Sequence, residues 1–384
     1  GAPLVGHTGG EFALVFSQDG TMLASGTGDG PIALWDVRHR QPLATTLASG
    51  LGAIYELAIS PDGRTLATAS WNGKIWLWDL ARGRWLRTIP SGRNLTSVAF
   101  SPDGRMLAVG ANGNVGGVLV YDVASGRMLD QASPPRVWVN NVALSPAGTI
   151  LAAADTDGTI QLWSVARTPR GRLHALGSPL RGDPSWLDAL AFSPNGKLLA
   201  SAGNDGLIRL WDVARRRVLS PPLAGHADFI YAVAFNPRGT MLASAGNDQT
   251  IRLWDTRRHT QVGSPLIGHT VPADAVAFSP DGTLLASGSG DTTVRVLDVA
   301  TDQPLGTPFT GFIDGVTSVA FTPDGTRLIA GGYDGIIRMW NVDLRGWPST
   351  ACRIANRNLT QQEWRHYLPG LSYQKTCPGL PAGS

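Results

Sequence analysis

IRLWDV (208–213) and IRLWDT (251–256) are near-copies of one strand ending. The same ending returns as IALWDV (32–37), IWLWDL (75–80), VLVYDV (118–123), IQLWSV (160–165), VRVLDV (294–299) and IRMWNV (337–342). Its fourth position is Trp35, Trp78, Tyr121, Trp163, Trp211, Trp254 and Trp340, with Leu297 the exception. Apolar residues alternate within each copy, the period of a β-strand. A repeat in the low forties with four strand-like runs per unit is the signature of propeller blades. Eight copies predict an all-β, eight-bladed propeller.

The sixth unit, residues 225–267, shows how one blade is written. IYAVAF (230–235) alternates and reads as the inner strand. Asn236-Pro237-Arg238-Gly239 is a turn, because proline fixes φ and glycine relieves the exit. TMLASAG (240–246) is the second strand, Asn247-Asp248 opens the next turn, and IRLWD (251–255) is the third strand. VGSPLI (262–267) is the outer strand and leads to the next Gly268-His269. Ala2-Pro3-Leu4-Val5-Gly6-His7 repeats the pattern that ends this unit, whereas the eighth unit stops at Arg345-Gly346-Trp347-Pro348 without an outer strand. Residues 2–6 are therefore expected to pair with 336–342 and close the ring over 1–345, leaving no exposed edge.

Composition excludes several classes. Hydrophobic residues make up 43% and charged residues 16%, an ordinary globular balance. A net charge of +3 argues against a nucleic-acid partner, which needs basic residues gathered on one face. Arg215–Arg217 and Arg257-Arg258 follow strand endings and read as solvated loops. No apolar run approaches the roughly 18 residues of a membrane-spanning helix. No signal peptide stands out, and since the sequence opens on Gly-Ala rather than Met, that absence is uninformative.

These repeats resemble the WD-repeat β-propeller family over about residues 1–345. The resemblance implies a hydrogen-bonded tetrad in each blade: the His of Gly-His, a Ser or Thr of the second strand, an Asp of the second turn, and the Trp of the third strand. The first unit has all four as His7, Ser25, Asp29 and Trp35; the sixth has His226, Ser244, Asp248 and Trp254. The fifth keeps Ser201, Asp205 and Trp211, and the seventh keeps His269, Ser287 and Asp291. The fourth and eighth keep only the Asp and Trp, and the third, with Tyr121 and two extra residues, does not align at its second turn. Degenerate units are expected to have lost members together, because an orphaned buried group costs about 1–3 kcal/mol.

His, Asp and Ser within one unit imitate a hydrolase triad. The set recurs at blade spacing, however, and a catalytic triad would occur once. There is no phosphate-binding loop, no Gly-x-Ser-x-Gly elbow and no cysteine–histidine cluster with metal spacing. The sequence therefore reads as non-enzymatic, with no cofactor and no metal.

The resemblance implies that partners dock on the face carrying the loop before each inner strand and the turn between strands two and three. Three columns of residues map there. They gather Phe12, Tyr55, Trp71, Trp138, Trp186, Phe229, Tyr231 and Tyr333, and they vary from blade to blade whereas tetrad positions do not. Exposed aromatics are enriched at binding hot spots, so these eight are the candidate protein-binding residues. The run Trp138, Trp186, Phe229 and Tyr231 is the candidate centre. A small ligand held in the channel mouth, self-association through the same face, and a propeller enzyme are the alternative readings.

Residues 346–384 do not repeat. Thr360-Gln361-Gln362-Glu363 is a capping box ahead of Trp364, Tyr367 and Leu368 at helical spacing, which predicts short helices packing on the propeller. Cys352 and Cys377 are a candidate disulfide, with a reduced pair equally natural. The compartment stays open with them: cytoplasmic, or extracytoplasmic if they are joined. This tail is similar to the ends of bacterial, particularly actinobacterial, WD-repeat proteins, in which a STAND-type NTPase or serine/threonine kinase module precedes the propeller. That resemblance implies the C-terminal docking part of a larger signalling protein, with oligomeric state unspecified.

Overall fold

The computed structural model describes the strands between 11 and 48 by their backbone, and residues 51–342 apart from 113–115, 133–137, 167–171, 182–185 and 306–307. Every described element is a strand or a turn, and among these residues there is no helix. The strands form eight antiparallel sheets.

Each repeat folds locally for the reasons its sequence gives. In the second repeat Ile54–Ile59, Thr65–Ser70, Lys74–Asp79 and Arg84–Pro90 pair in that order as a meander. The first turn is fixed by its own side chains: Ser60 Oγ donates to Asp62 at 2.5 Å, and the Thr65 N–H donates to Ser60 Oγ at 2.9 Å. Gly63 closes that turn at φ +71°, where a side chain would be strained.

The second strands are almost wholly buried because both faces are covered by neighbouring blades. One position there is always Ala or Gly: Ala69, Gly110, Ala154, Ala202, Ala245, Gly288 and Gly331. The reason is the next inner strand. A Cβ on Gly110 would lie 3.1 Å from Val139 Cγ1, one on Gly288 2.7 Å from Val316 Cγ1, and one on Gly331 3.1 Å from Ile54 Cγ2. The hydrophobic core is consequently a series of layers between blades. Ala69, Ile75 and Leu77 pack with Leu95, Val98 and Leu107, and Ala202, Ile208 and Leu210 pack with Ile230, Val233 and Leu242.

The ring closes with seven blades, not eight. Inner strands pack in a cycle from Ile54–Ile59 through to Val316–Phe321, which returns to Ile54–Ile59. At that seam Thr317 Oγ1 donates to the Ile54 carbonyl at 2.6 Å, the Leu57 N–H donates to Ser318 Oγ at 3.2 Å, and Arg327 Nη1 donates to the Leu80 carbonyl at 3.0 Å. Ile54, Leu57 and Leu66 share one buried cluster with Ile329 and Ile337. A second cycle runs through the turns. The ring of Pro61 faces Gly104, Pro102 faces Gly148, Pro146 faces Gly196, Pro194 faces Gly239, Pro237 faces Gly282, Pro280 faces Gly325, and Pro323 faces Gly63.

The expected closure by residues 2–6 is corrected as well. The outer strand of the eighth repeat is Ala44–Ala48, which pairs with Ile337–Asn341. The first repeat forms a sheet of its own from Glu11–Phe16, Met22–Thr27, Ile32–Asp36 and Gln41–Pro42. Blade number follows the wedge angle at which neighbouring sheets pack, and repeat counting does not measure that angle. Residues 2–6 and 346–384, with Cys352 and Cys377, lie outside the described residues.

Candidate binding face

One backbone irregularity recurs in all seven inner strands and builds the channel mouth. Pairing with the second strand slips by one residue between Ile54 and Glu56, Leu95 and Ser97, Val139 and Asn141, Leu187 and Ala189, Ile230 and Ala232, Ala273 and Ala275, and Val316 and Ser318. A bulge leaves its extra residue unpaired and re-aims the side chain. The extra residues are Tyr55, Thr96, Asn140, Asp188, Tyr231, Asp274 and Thr317. Short polar ones reach the following blade: Thr96 Oγ1 donates to the Val139 carbonyl at 2.7 Å, and Asn140 Nδ2 to the Leu187 carbonyl and to Asp188 Oδ1, each at 3.1 Å. Phe12 sits at the matching slip of the first sheet, where Glu11–Phe16 pairs with Met22–Thr27.

The other two columns lie beside each other at the blade tops. The turn residue donates its N–H to the carbonyl of the loop residue: Trp71 to Ala53, Thr156 to Trp138, Asn204 to Trp186, Asn247 to Phe229, Gly290 to Pro272 and Tyr333 to Gly315. In the third repeat Asn94 pairs with Asn112, which assigns Asn112 to the turn position the sequence left unaligned. Each of these pairs carries at most one large aromatic. These side chains are accessible: Trp71 and Phe229 are 38% exposed, Tyr333 41%, Trp138 47% and Trp186 51%. Trp138, Trp186 and Phe229 stand on three consecutive blades. Tyr55, Trp71 and Tyr333 meet directly at the seam between the second and eighth repeats. Tyr55 stacks on Trp71 with centroids 5.0 Å apart and meets Tyr333 edge-on at 5.4 Å. The sequence grouped the same residues by column but gave no sign of this second cluster, because the seam joins repeats distant in the chain.

The mouth holds carboxyl groups that burial shifts toward their neutral form. Burial pushes the Asp188 carboxyl up to about 6 against a hydrogen bond from Asn140, and burial with the charge of Asp291 pushes Asp274 up to about 7. Burial raises the Tyr333 hydroxyl well above its ordinary range, followed by Asp274, the two neighbouring tyrosines and Asp314. Tyr231 is raised by burial and then by Asp274, Asp188 and Asp228. The Tyr231 hydroxyl donates to Asn247 Oδ1 at 3.2 Å.

The tetrads behave as framework. In the sixth repeat Trp254 Nε1 donates to Ser244 Oγ at 2.8 Å, Ser244 Oγ is 2.7 Å from His226 Nε2, and His226 Nδ1 is 2.9 Å from Asp248 Oδ1. Because the indole can only donate, the serine is free to give its proton to Nε2, and Nδ1–H faces the carboxylate. Burial holds the histidine's pKa down against the pull of Asp248. The seventh repeat keeps His269 bonded to Ser287 and Asp291, at 2.8 and 3.0 Å, with Leu297 in place of the indole. In the second repeat the expectation of joint loss fails: Thr68 Oγ1 and Trp78 Nε1 are both retained, buried and without a partner. His7 and Asp29 lie outside the described residues, while Ser25 and Trp35 fall in the second and third strands of the first sheet.

Among the described residues no three His, Cys, Asp or Glu side chains converge as metal ligands, and no helix is long and apolar enough to cross a membrane. Sequence reading missed Glu56, the residue after a bulge. Its carboxylate accepts the Val98 N–H of the next blade at 2.9 Å, and burial pushes it up to about 7 against hydrogen bonds from Ser97 and Val98. A charged residue inside an alternating strand was the only available signal.

The family described as "WD domain, G-beta repeat" matches eight times, at 2–36, 41–79, 83–115, 132–164, 176–212, 217–255, 260–298 and 303–341. The chain is 37% identical over 162 residues to periodic tryptophan protein 2 homolog of Mus musculus and 40% over 162 residues to periodic tryptophan protein 2 of Saccharomyces cerevisiae. Each match covers 42% of this chain and 17% of the relative. It is 28% identical over 166 residues to WD repeat-containing protein slp1 of Schizosaccharomyces pombe, covering 42% of this chain and 34% of that one. The chain thus spans well under half the length of these relatives. With the four-stranded blades, the closing strand and the tetrads in view, the chain belongs to the WD-repeat family of β-propellers.

Proposed function

We propose that this propeller is a docking module that holds a protein partner across its aromatic face. The single observation that carries this is the exposure of Trp138, Trp186 and Phe229 on three consecutive blades of one ring. Large aromatics lose little conformational entropy on binding and gain much from desolvation, so three in a row supply the centre of an interface. Tyr55, Trp71 and Tyr333 extend it across the seam. The relatives' WD repeats agree with a binding role, and the similarity of the tail to bacterial WD-repeat proteins supports a place at the C-terminal end of a larger signalling chain. Catalysis has no evident seat, because the complete His–Asp–Ser sets are consumed in holding blades together.

Crosslinking capture from native lysate tests this. The chain is compared with a Trp138→Ala, Trp186→Ala, Phe229→Ala variant of unchanged circular dichroism. Each hot spot is worth about 2 kcal/mol or more, so the protein captured by the parent should fall by at least roughly thirtyfold in the variant. Equal capture would remove this face as the docking surface.

A further inference from the structure

Charge is distributed unevenly over the molecule. The chain has 32 Lys and Arg against 29 Asp and Glu, yet none of the bulge, loop or turn positions around the mouth of the seven-bladed ring is Lys, Arg or His. Five arginines among the described residues are paired away from those positions. Arg82, Arg215 and Arg258 pair with Asp79, Asp212 and Asp255 at the ends of third strands, and Arg209 and Arg252 pair with Asp205 and Asp248 inside the tetrad region. Among the described residues the mouth therefore keeps carboxyl groups with no basic partner. Among the described residues Asp274 has no hydrogen-bond or ion-pair partner, and Asp188 accepts only from the neutral amide of Asn140. Asp228 accepts from the Asn247 amide, and Asp314 from the backbone N–H of Gly315.

Beside these carboxylates stand the π-faces of the seam. The Tyr55 ring is flanked by Trp71 and Tyr333. Gly290 and Gly315 link Tyr333 to Asp274: a Cβ on Gly315 would lie 3.4 Å from Tyr333 Cδ2 and 3.1 Å from Gly290 Cα, and one on Gly290 3.9 Å from Asp274 Oδ2. Aromatic rings present a negative quadrupole to an approaching cation, worth about 0.5–2 kcal/mol per contact as desolvation increases. A carboxylate at the far side adds a charge-assisted hydrogen bond. The guanidinium group suits this combination best, since one plane can stack on a ring while its edge faces a carboxylate.

We infer that the channel mouth takes an arginine or lysine side chain from a basic segment of the docked protein, seated between the Tyr55–Trp71–Tyr333 cluster and Asp274. This rests on the docking role proposed above and adds the chemistry of the partner. At the ends of the third strands the carboxylates are already paired with arginines, whereas Asp274 is not, so a basic segment gains a new charge partner at the mouth. The mouth thereby sets orientation as well as affinity.

The experiment measures binding of the intact chain to fluorescent Gly/Ser peptides carrying three arginines, three lysines, three glutamates or three glutamines. The arginine peptide should bind, should weaken steadily with salt, and should lose roughly tenfold in affinity with Asp274→Asn or Tyr333→Leu, about 1.4 kcal/mol. Trp85→Ala, on an outer strand away from the mouth, should leave it unchanged. Arginine binding that ignores Asp274→Asn overturns the inference. So does equal affinity for the glutamine peptide. If the glutamate or glutamine peptide binds instead, and binding is lost in the Trp138→Ala, Trp186→Ala, Phe229→Ala variant, the cation site falls and the docking face stands. If no peptide binds, the cation site falls, and the lysate capture alone decides the docking face.

Discussion

Single residues in this propeller carry energies that their sequence context conceals. Glu56 is ionisable in a buried strand, and its carboxyl is raised from 4.5 to about 7. The sign follows from linkage. The folded chain holds this proton more tightly than the unfolded chain, so stability is fully present below about pH 4.5 and declines as pH rises through about 7. The loss is of order 3 kcal/mol for this group, at 1.36 kcal/mol per unit. Glu56→Gln keeps an acceptor for the Val98 N–H without the charge. It should be more stable than the parent at pH 8 and nearly equal at pH 5, as read by thermal melts across that range. Ser244→Ala makes a second case. It removes the hydroxyl joining His226 to Trp254 and strands both, with an expected loss of about 1–3 kcal/mol in urea denaturation. The tetrad of the sixth repeat was legible through the family resemblance. Glu56 was not, because its role depends on the blade that follows, and strand periodicity describes one blade at a time.

At the scale of elements, the turns do more than reverse the chain. Gly148 and Gly92 have nearly the same φ, +67° and +70°. A Cβ on Gly148 would lie 3.0 Å from Pro102 Cδ, while one on Gly92 meets nothing within 4 Å. Gly92→Ala should therefore report only backbone strain, about 1 kcal/mol. Gly148→Ala should cost more by the displacement of Pro102, and the difference in unfolding free energy measures the grip between adjacent turns. Equal losses would show that the proline contact contributes nothing. The sequence announced these segments as turns, and it also held an unread clue to blade number. Ser60-Pro61, Ser101-Pro102, Ser145-Pro146, Ser193-Pro194, Asn236-Pro237, Ser279-Pro280 and Thr322-Pro323 supply the seven prolines of the cycle. The first repeat has Ser17-Gln18 instead. The repeat that lacks the interlocking proline is the one whose inner strand is not part of the cycle of seven. The count of strand endings hid this, because third strands look alike whether or not their turn meets a neighbour.

For the whole molecule, closure is the decisive event. The strand Ala44–Ala48 covers the edge of Ile337–Asn341, and without it that edge offers free backbone groups to another chain. Chains beginning at 44 and at 49 differ by little else. The longer should melt at a higher temperature and stay of one mass as concentration rises. The shorter should self-associate, as read by light scattering. A shorter chain that remains as stable and as monodisperse as the longer would mean the strand is dispensable. The class of fold was legible from the first repeat pair, and so was the rule that a strand from the beginning of the chain completes the last blade. Which strand does so was not, since both 2–6 and 44–48 precede an inner strand and only the packing of distant repeats chooses between them.

That choice has a consequence for the making of the protein. A ribosome releases residues 44–48 early, at about 5–20 residues per second, and their partner strand is not yet translated. The segment must wait for nearly three hundred residues, roughly fifteen seconds to a minute, before Ile337–Asn341 emerges. Throughout that interval the nascent chain carries an unmatched strand at one end and an unfinished ring at the other. A prematurely terminated product keeps both, so the same pairing that locks the finished molecule also distinguishes it from every incomplete one.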